Sequence, residues 1–165
     1  MEDTQQTHDN IRIRVFKADD VGTPTAAEDA EPVREYRTHN ATRTRYHETV
    51  IAGLDGDSID IGADALAMGD SDADLADVPA DEPLDSETFR TSVTDSFTDG
   101  QTFSASIFLD STQANGETFR EAGLVAETAD GDLPINRFVI DTPLLDPKSE
   151  NETVTIDIDI TQEDA

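Results

Sequence analysis

Thr153-Val154-Thr155-Ile156-Asp157-Ile158-Asp159-Ile160-Thr161 is the stretch that decides the fold. Apolar and polar residues alternate along it, so Val154, Ile156, Ile158 and Ile160 share one face of a strand and Asp157 and Asp159 share the other. A helix would scatter these isoleucines around its axis. The stretch therefore reads as a half-buried strand of an antiparallel sheet, with one face on a core and one in water.

Further strands lie upstream. Phe89, Thr91, Val93, Asp95 and Phe97 alternate up to Asp99-Gly100, a hairpin signal. Phe103, Ala105, Ile107 and Leu109 continue beyond it, and Asn115-Gly116 marks the next turn. Phe119 to Glu127 is a third strand, closed by Ala129-Asp130-Gly131-Asp132, and Leu133 to Ile140 is a fourth. Near the start, Ile11, Ile13 and Val15 alternate with Arg12, Arg14 and Phe16 as a short strand. Tyr46 to Leu54 sets Val50, Ile51 and Leu54 at helical spacing and predicts a short helix. Ile59 and Ile61, then Ala63 to Met68, read as a short buried segment ending at Gly69. Evenly spaced strands with turn signals between them predict an antiparallel sandwich or small barrel. The expectation is a mainly β chain, an antiparallel β-sandwich with one short α-helix and an extended N-terminal arm.

The arm is expected over residues 1–45 and the β body over 46–165. Residues 18–33 (ADDVGTPTAAEDAEPV) are small, acidic and proline-containing, and read as a loop. Arg34 to Arg45 (REYRTHNATRTR) reads as an extended segment that pairs with another chain. Residues 69–87 (GDSDADLADVPADEPLDSE) form a long acidic loop, a length that is usually functional or flexible.

Charge sets the surface. The 165 residues carry 38 acids against 11 bases, a net charge of −27, and Asp outnumbers Glu 25 to 13. The acids are interleaved with apolar residues at strand spacing, whereas disordered tails carry them in blocks. Such a surface suits molar salt, where the Debye length falls to about 3 Å and self-repulsion is screened. The charge is uneven: residues 1–47 sum to −2 and residues 48–165 to −25. The nearly neutral part holds Arg34, Tyr36, Arg37, Arg43, Arg45 and Tyr46, which read as candidates for contact with an acidic partner surface. Arg120 and Glu121 join them as rare charges in an otherwise apolar strand, with Arg120 expected to face an acid. Gly123 in the same strand predicts a bulge or a close approach by another backbone.

Several function classes find no support. The chain has no Cys, so disulfide and thiol chemistry are absent. No apolar run of about 18 residues occurs, so no membrane insertion is expected. Met1 to Gln6 is polar, so no secretory signal is expected, and the sequons Asn40-Ala41-Thr42 and Asn151-Glu152-Thr153 then carry no weight. No G-x-S-x-G elbow, Walker loop or G-x-G-x-x-G occurs, and no enzyme is expected. Asp70, Asp72 and Asp74 faintly echo a calcium loop, but Leu75 stands where its glycine belongs. His8, His39 and His47 lack ligand spacing, so neither a metal nor a cofactor is expected. The acidic surface repels phosphates, which argues against nucleic acid.

The order of features from residue 46 to 161 resembles the baseplate-proximal and tail-fibre collar proteins of tailed viruses. Ala67-Met68-Gly69-Asp70 stands for their turn, and Pro83-Leu84-Asp85-Ser86-Glu87-Thr88-Phe89-Arg90 for the following step. Phe119-Arg120-Glu121-Ala122-Gly123-Leu124 stands for the middle strand, and Arg137, Pro143-Leu144, Lys148 and Val154-Thr155-Ile156 complete the order. The resemblance covers about two-thirds of the chain and leaves residues 1–45 outside it. With the charge, it implies a non-enzymatic tail protein in the virion of a haloarchaeal tailed virus, assembled in the host cytoplasm. It implies a homo-oligomer, a trimer, that meets other tail or baseplate proteins and the host cell surface. A capsid turret or decoration protein, a host-surface-binding module, and a cellular haloarchaeal domain of unknown partner are the alternatives.

The charge reading yields the first prediction. Thermal unfolding followed by circular dichroism should move to lower temperature as potassium chloride is reduced from molar to millimolar. A melt unchanged by salt would show that the acidic surface is not a salt adaptation.

Overall fold

The computed structural model describes residues 7–39, 41–56, 60–141 and 144–162. Met1 to Gln6, Asn40 of the first sequon, Ile59 and Pro143 fall outside these residues. The strands are β1 (Thr7–Lys17), β2 (Arg34–Thr38), β3 (Ala41–Thr42), β4 (Ala65–Gly69), β5 (Glu87–Ser92) and β6 (Asp95–Asp99). They continue as β7 (Thr102–Leu109), β8 (Glu121–Thr128), β9 (Gly131–Pro134), β10 (Asn136–Val139) and β11 (Glu152–Gln162). The helices are α1 (Pro24–Glu28) and α2 (Thr44–Gly53), with a 3-10 turn at Leu75–Asp77. The chain is mainly β and antiparallel, as the alternation predicts. It divides into two compact units, one made of Met1–His39, Val93–Gly116 and Lys148–Ala165, the other of Asn40–Ser92 and Glu117–Pro147.

The first unit is a five-stranded sheet in the order β2-β1-β11-β7-β6. Ile156 lies opposite Ile13 of β1 and Ile107 of β7, and Ile158 opposite Ile11 and Ala105. These residues, with Val15, Leu109 and Val154, form a fully buried row. The other face is polar: Ser106 Oγ donates to Asp157 Oδ1 at 2.8 Å and Ser104 Oγ to Asp159 Oδ1 at 2.6 Å. Thr7–Lys17, expected within an arm, forms an inner strand of this sheet. Arg34–Thr38, expected to pair with another chain, lies antiparallel to β1 of its own chain.

Residues 18–33, expected as a loop, contain α1, so the described residues hold two α-helices and not one. Thr23 caps it by accepting from the Ala26 N–H at 3.3 Å, and Pro24 sits in the first turn, where its missing N–H costs nothing. Five residues do not hold a helix by propensity. Burial does: Ala27 packs with Phe16 and Val21, and Phe108 lies against them. Arg14 fastens the helix to the sheet, donating to the Ala27 carbonyl and to Asp157 Oδ2, both at 3.2 Å. Its guanidinium lies 5.5 Å from the Phe16 ring centroid.

The second unit is a sheet in the order β3-β10-β8-β4-β5, with β9 also on β8. β4, the expected buried segment, is buried throughout and lies between β5 and β8. Two expected strands are each broken in two. The run from Phe89 to Phe97 parts at Val93-Thr94, so that β5 belongs to the second unit and β6 to the first. Thr94 makes the switch by bonding to β7: its N–H donates to the Ser106 carbonyl, and its Oγ1 accepts from the Phe108 N–H, both at 2.9 Å. The run from Leu133 to Ile140 parts at Ile135. There the Asn136 side-chain carbonyl accepts from the Leu124 N–H at 2.8 Å, doing the work of a ladder carbonyl. The Asn136 backbone carbonyl is thereby turned onto Gly123, where a Cβ would overlap it. This is the close approach the strand glycine predicts.

Gly123→Ala should therefore be destabilising by about 1–3 kcal/mol or more, because neither backbone has room to yield. Urea unfolding should show the midpoint falling with the slope unchanged.

Candidate functional site

The eight residues singled out in the sequence fall into separate places. Arg34, Tyr36 and Arg37 lie on β2, in the first unit. Arg43, Arg45, Tyr46, Arg120 and Glu121 lie in the second unit, near β3, at the start of α2 and at the start of β8.

Of these five, Arg43 and Glu121 are buried in one charged anchor, together with Arg137 of β10. The Glu121 side chain is 0 % exposed and that of Arg137 2 %. Glu121 Oε1 accepts from the Ser86 N–H at 2.7 Å. Its Oε2 accepts from the Asp85 N–H at 3.1 Å and from Arg137 Nε at 2.8 Å. Arg43, just before α2, donates to the carbonyls of Pro83 at 3.1 Å and Pro79 at 2.8 Å. Burial lowers the Arg43 pKa, and neighbouring Arg137 lowers it further, against the opposing pull of Glu121.

What this anchor holds is the acidic loop between β4 and β5. Arg43 grips the Pro79 and Pro83 carbonyls and Glu121 grips the Asp85 and Ser86 amides. Buried Leu84 packs with Ala67 and Val125. At the entrance, the Asp70 N–H donates to the Ser86 carbonyl at 3.2 Å, and a side chain at Gly69 would overlap that carbonyl. The loop's second half is thus tied to the sheet by backbone contacts, while acids such as Asp72, Asp81 and Glu82 stay outside.

The remaining candidates of this unit sit on its surface. Arg120 bonds to Asp146 at 2.5 Å, the facing acid expected of it. That bond, with a second from Thr118 Oγ1 at 3.1 Å, holds the Asp146 carboxyl below the usual carboxylate range. Arg45 Nε lies 3.3 Å from Asp81 Oδ1, both well exposed. Tyr46 meets His47 edge-on, ring centroids 6.1 Å apart. Surface pairs of this kind contribute little to stability.

In the first unit, β2, β1 and β11 line a shallow groove of about 520 Å³, bordered by Arg12, Arg37, His39, Asp157 and Asp159. Glu35 accepts from Arg12 Nε at 3.1 Å and from Arg37 Nε at 2.8 Å. Its carboxyl is held below its usual range, first by Arg12. Arg34 pairs with Glu152 of β11. Among the described residues no three His, Asp or Glu side chains gather to hold a metal ion.

Sequence reasoning singled out Glu121 but not its partner Arg137. The available signal was the lone charge within Ile135-Asn136-Arg137-Phe138-Val139, an apolar strand. Arg120 and Glu121 are neighbours, so they point to opposite faces, and only Glu121 turns inward.

Glu121→Ala should cost about 3–5 kcal/mol in urea unfolding, because Arg137 is left as an uncompensated buried charge. Limited proteolysis within residues 70–86 should quicken as well. The double variant Glu121→Leu with Arg137→Met should recover part of the stability but leave the loop susceptible. No family model, no curated protein and no solved structure matches this chain.

Proposed function

We propose that this chain is a non-enzymatic structural component of the tail of a haloarchaeal tailed virus, acting in assembly and host attachment as a baseplate or tail-fibre part. It works as a homo-oligomer, a trimer, docked on other tail proteins. The observation that carries the reading is the anchor of Arg43, Glu121 and Arg137. Its hydrogen bonds described above hold loop backbone or one another. That is an arrangement for presenting a loop at a fixed place, and the role it fits is mechanical. The order of features from residue 46 to 161 supports a tail position, and the net charge of −27 supports a host living in molar salt.

The mixed-charge groove of β2, β1 and β11 favours a second reading, in which the chain contacts the host surface itself.

Mass spectrometry of purified particles of such a virus tests the proposal. The chain should be present in few copies per particle and should follow the tails when these are separated from heads. Absence from particles would sink the reading, and a copy number near that of the capsid protein would move the chain to a turret or decoration role.

A further inference from the structure

The two edges of the first unit's sheet differ in charge. β6 reads Asp95-Ser96-Phe97-Thr98-Asp99, and every residue of it is exposed. Phe97 is 62 % exposed, a large apolar side chain on an open edge. At the other edge, β2 reads Arg34-Glu35-Tyr36-Arg37-Thr38, with the Arg37 side chain 69 % exposed. Among the described residues, no strand lies beyond either edge. An edge strand with free backbone groups is a template for another strand, and an exposed aromatic on it marks an interaction site.

Register places the complementary groups on one face. Asp95 and Phe97 lie opposite Ser106 and Ser104. Those serines lie opposite Asp157 and Asp159, which lie opposite Arg12 and Asn10, and Arg12 lies opposite Arg37. Asp95, Phe97 and Asp99 of β6 therefore share the polar face with Arg37 and Glu35 of β2. Every neighbouring pair in the sheet is antiparallel, so β2 and β6, four steps apart, run in the same direction.

We propose that the β6 edge of one copy pairs, in parallel, with the β2 edge of a second copy of this chain, extending the sheet from subunit to subunit. The joint deepens the assembly role proposed above and rests on it. Charge and burial together select it over the two-fold alternatives. An antiparallel β6–β6 pair centred on Phe97 sets Asp95 against Asp99 twice, and a β2–β2 pair centred on Tyr36, although it sets Glu35 against Arg37, leaves Phe97 uncovered. The β6–β2 joint puts Arg37 on the same face as the aspartates of its neighbour, with Phe97 covered beside it. A head-to-tail contact of this type closes into a ring or runs on as a filament. A five-residue ladder is small beside the roughly 1,200 Å² of a standard stable interface. The joint is therefore held by closure, each subunit using both edges. Screening in molar salt removes the long-range repulsion between two acidic chains and leaves contact pairs, so association strengthens as salt rises.

Light scattering after size exclusion, on the full chain in molar potassium chloride, tests the joint. The unmodified chain should run as a multiple of its single-chain mass. Arg37→Asp and Asp99→Arg should each reduce it to a single chain with unchanged circular dichroism. The double variant, which reverses the pair on both edges, should restore the multiple. A single-chain mass for the unmodified chain overturns the proposal. So does an oligomer indifferent to Arg37→Asp, or a double variant that stays single. A dimer lost with Asp99→Arg but kept with Arg37→Asp is the two-fold β6 pair and overturns it too. Any of these, found with the chain present in particles, would leave the tail assignment standing. A restored multiple from a chain absent from particles would do the reverse.

Discussion

The pairing of β1 with β11 is the constraint on which the first unit depends. It runs for eleven residue pairs, from Thr7 opposite Gln162 to Lys17 opposite Glu152. β11 is paired along its other side with β7 for eight more. The strand whose alternation is clearest in the sequence thus sits at the centre of its sheet, and everything else is added outward from it. α1 docks through Arg14 and Phe16 of β1, the groove lies across β2, β1 and β11, and β6 hangs from β7. The ladder joins segments near opposite ends of the chain, so its closure entropy is paid late and the topology is one of slow, non-local folding.

The second unit solves a different problem. A chain with 35 % apolar residues has limited means to cover a loop of nearly twenty residues with hydrophobic contacts. Val78 and Leu84 supply buried apolar contacts, and charge adds to them. Backbone amides drawn against a sheet need acceptors, and backbone carbonyls need donors. A carboxylate accepts several hydrogen bonds at once, and a guanidinium donates several in a fixed fork. Glu121 and Arg43 are matched to those needs, and Arg137 neutralises the carboxylate where water does not. Such a buried pair adds less stability than apolar packing of the same volume, but it fixes one geometry for the loop because each bond is directional.

Much of this fold was legible in the sequence, and the parts that were not share a cause. Alternation located β7 and β11 to within a residue or two, because half-buried antiparallel strands carry a period of two in their own residues. Strand β8, buried on both faces, was bounded instead by the turn signals on either side. Helix α2 was found by the spacing of Val50, Ile51 and Leu54, and the close approach at Gly123 by its place in a strand. What was missed depends on partners distant in sequence. Helix α1 has a local start signal in Thr23-Pro24, but it is held because Ala27 meets Phe16 and Val21, and nothing within ADDVGTPTAAEDAEPV announces the contact with Phe16. The breaks at Thr94 and Ile135 exist because side chains take over bonds from a neighbouring strand. Arg34 to Thr38 looked like an arm because its polar character hides an edge strand, which needs only one bonded side. Of the site, Glu121 and Arg43 were legible as candidates but not as one cluster, and Arg137 was passed over beside them.

In the molar salt proposed above as this chain's medium, these interactions would not weigh equally. At a Debye length of about 3 Å the long-range part of the surface electrostatics is screened, and exposed contact pairs such as Arg12 with Glu35, or Arg45 with Asp81, add little to the stability of the fold. The Glu121–Arg137 pair, with side chains 0 % and 2 % exposed, lies beyond the reach of that screening. The apolar row of Ile11, Ile13, Ile107, Ile156 and Ile158 is strengthened if the salt is of the excluded kind and is otherwise little changed. The fold is therefore carried by its buried elements in the medium its surface suits. The surface acids act against the fold only where salt is scarce. Surface charge responds to salt and buried charge does not, and that would let a chain at −27 remain folded in molar salt while keeping an anchor of three charged side chains inside.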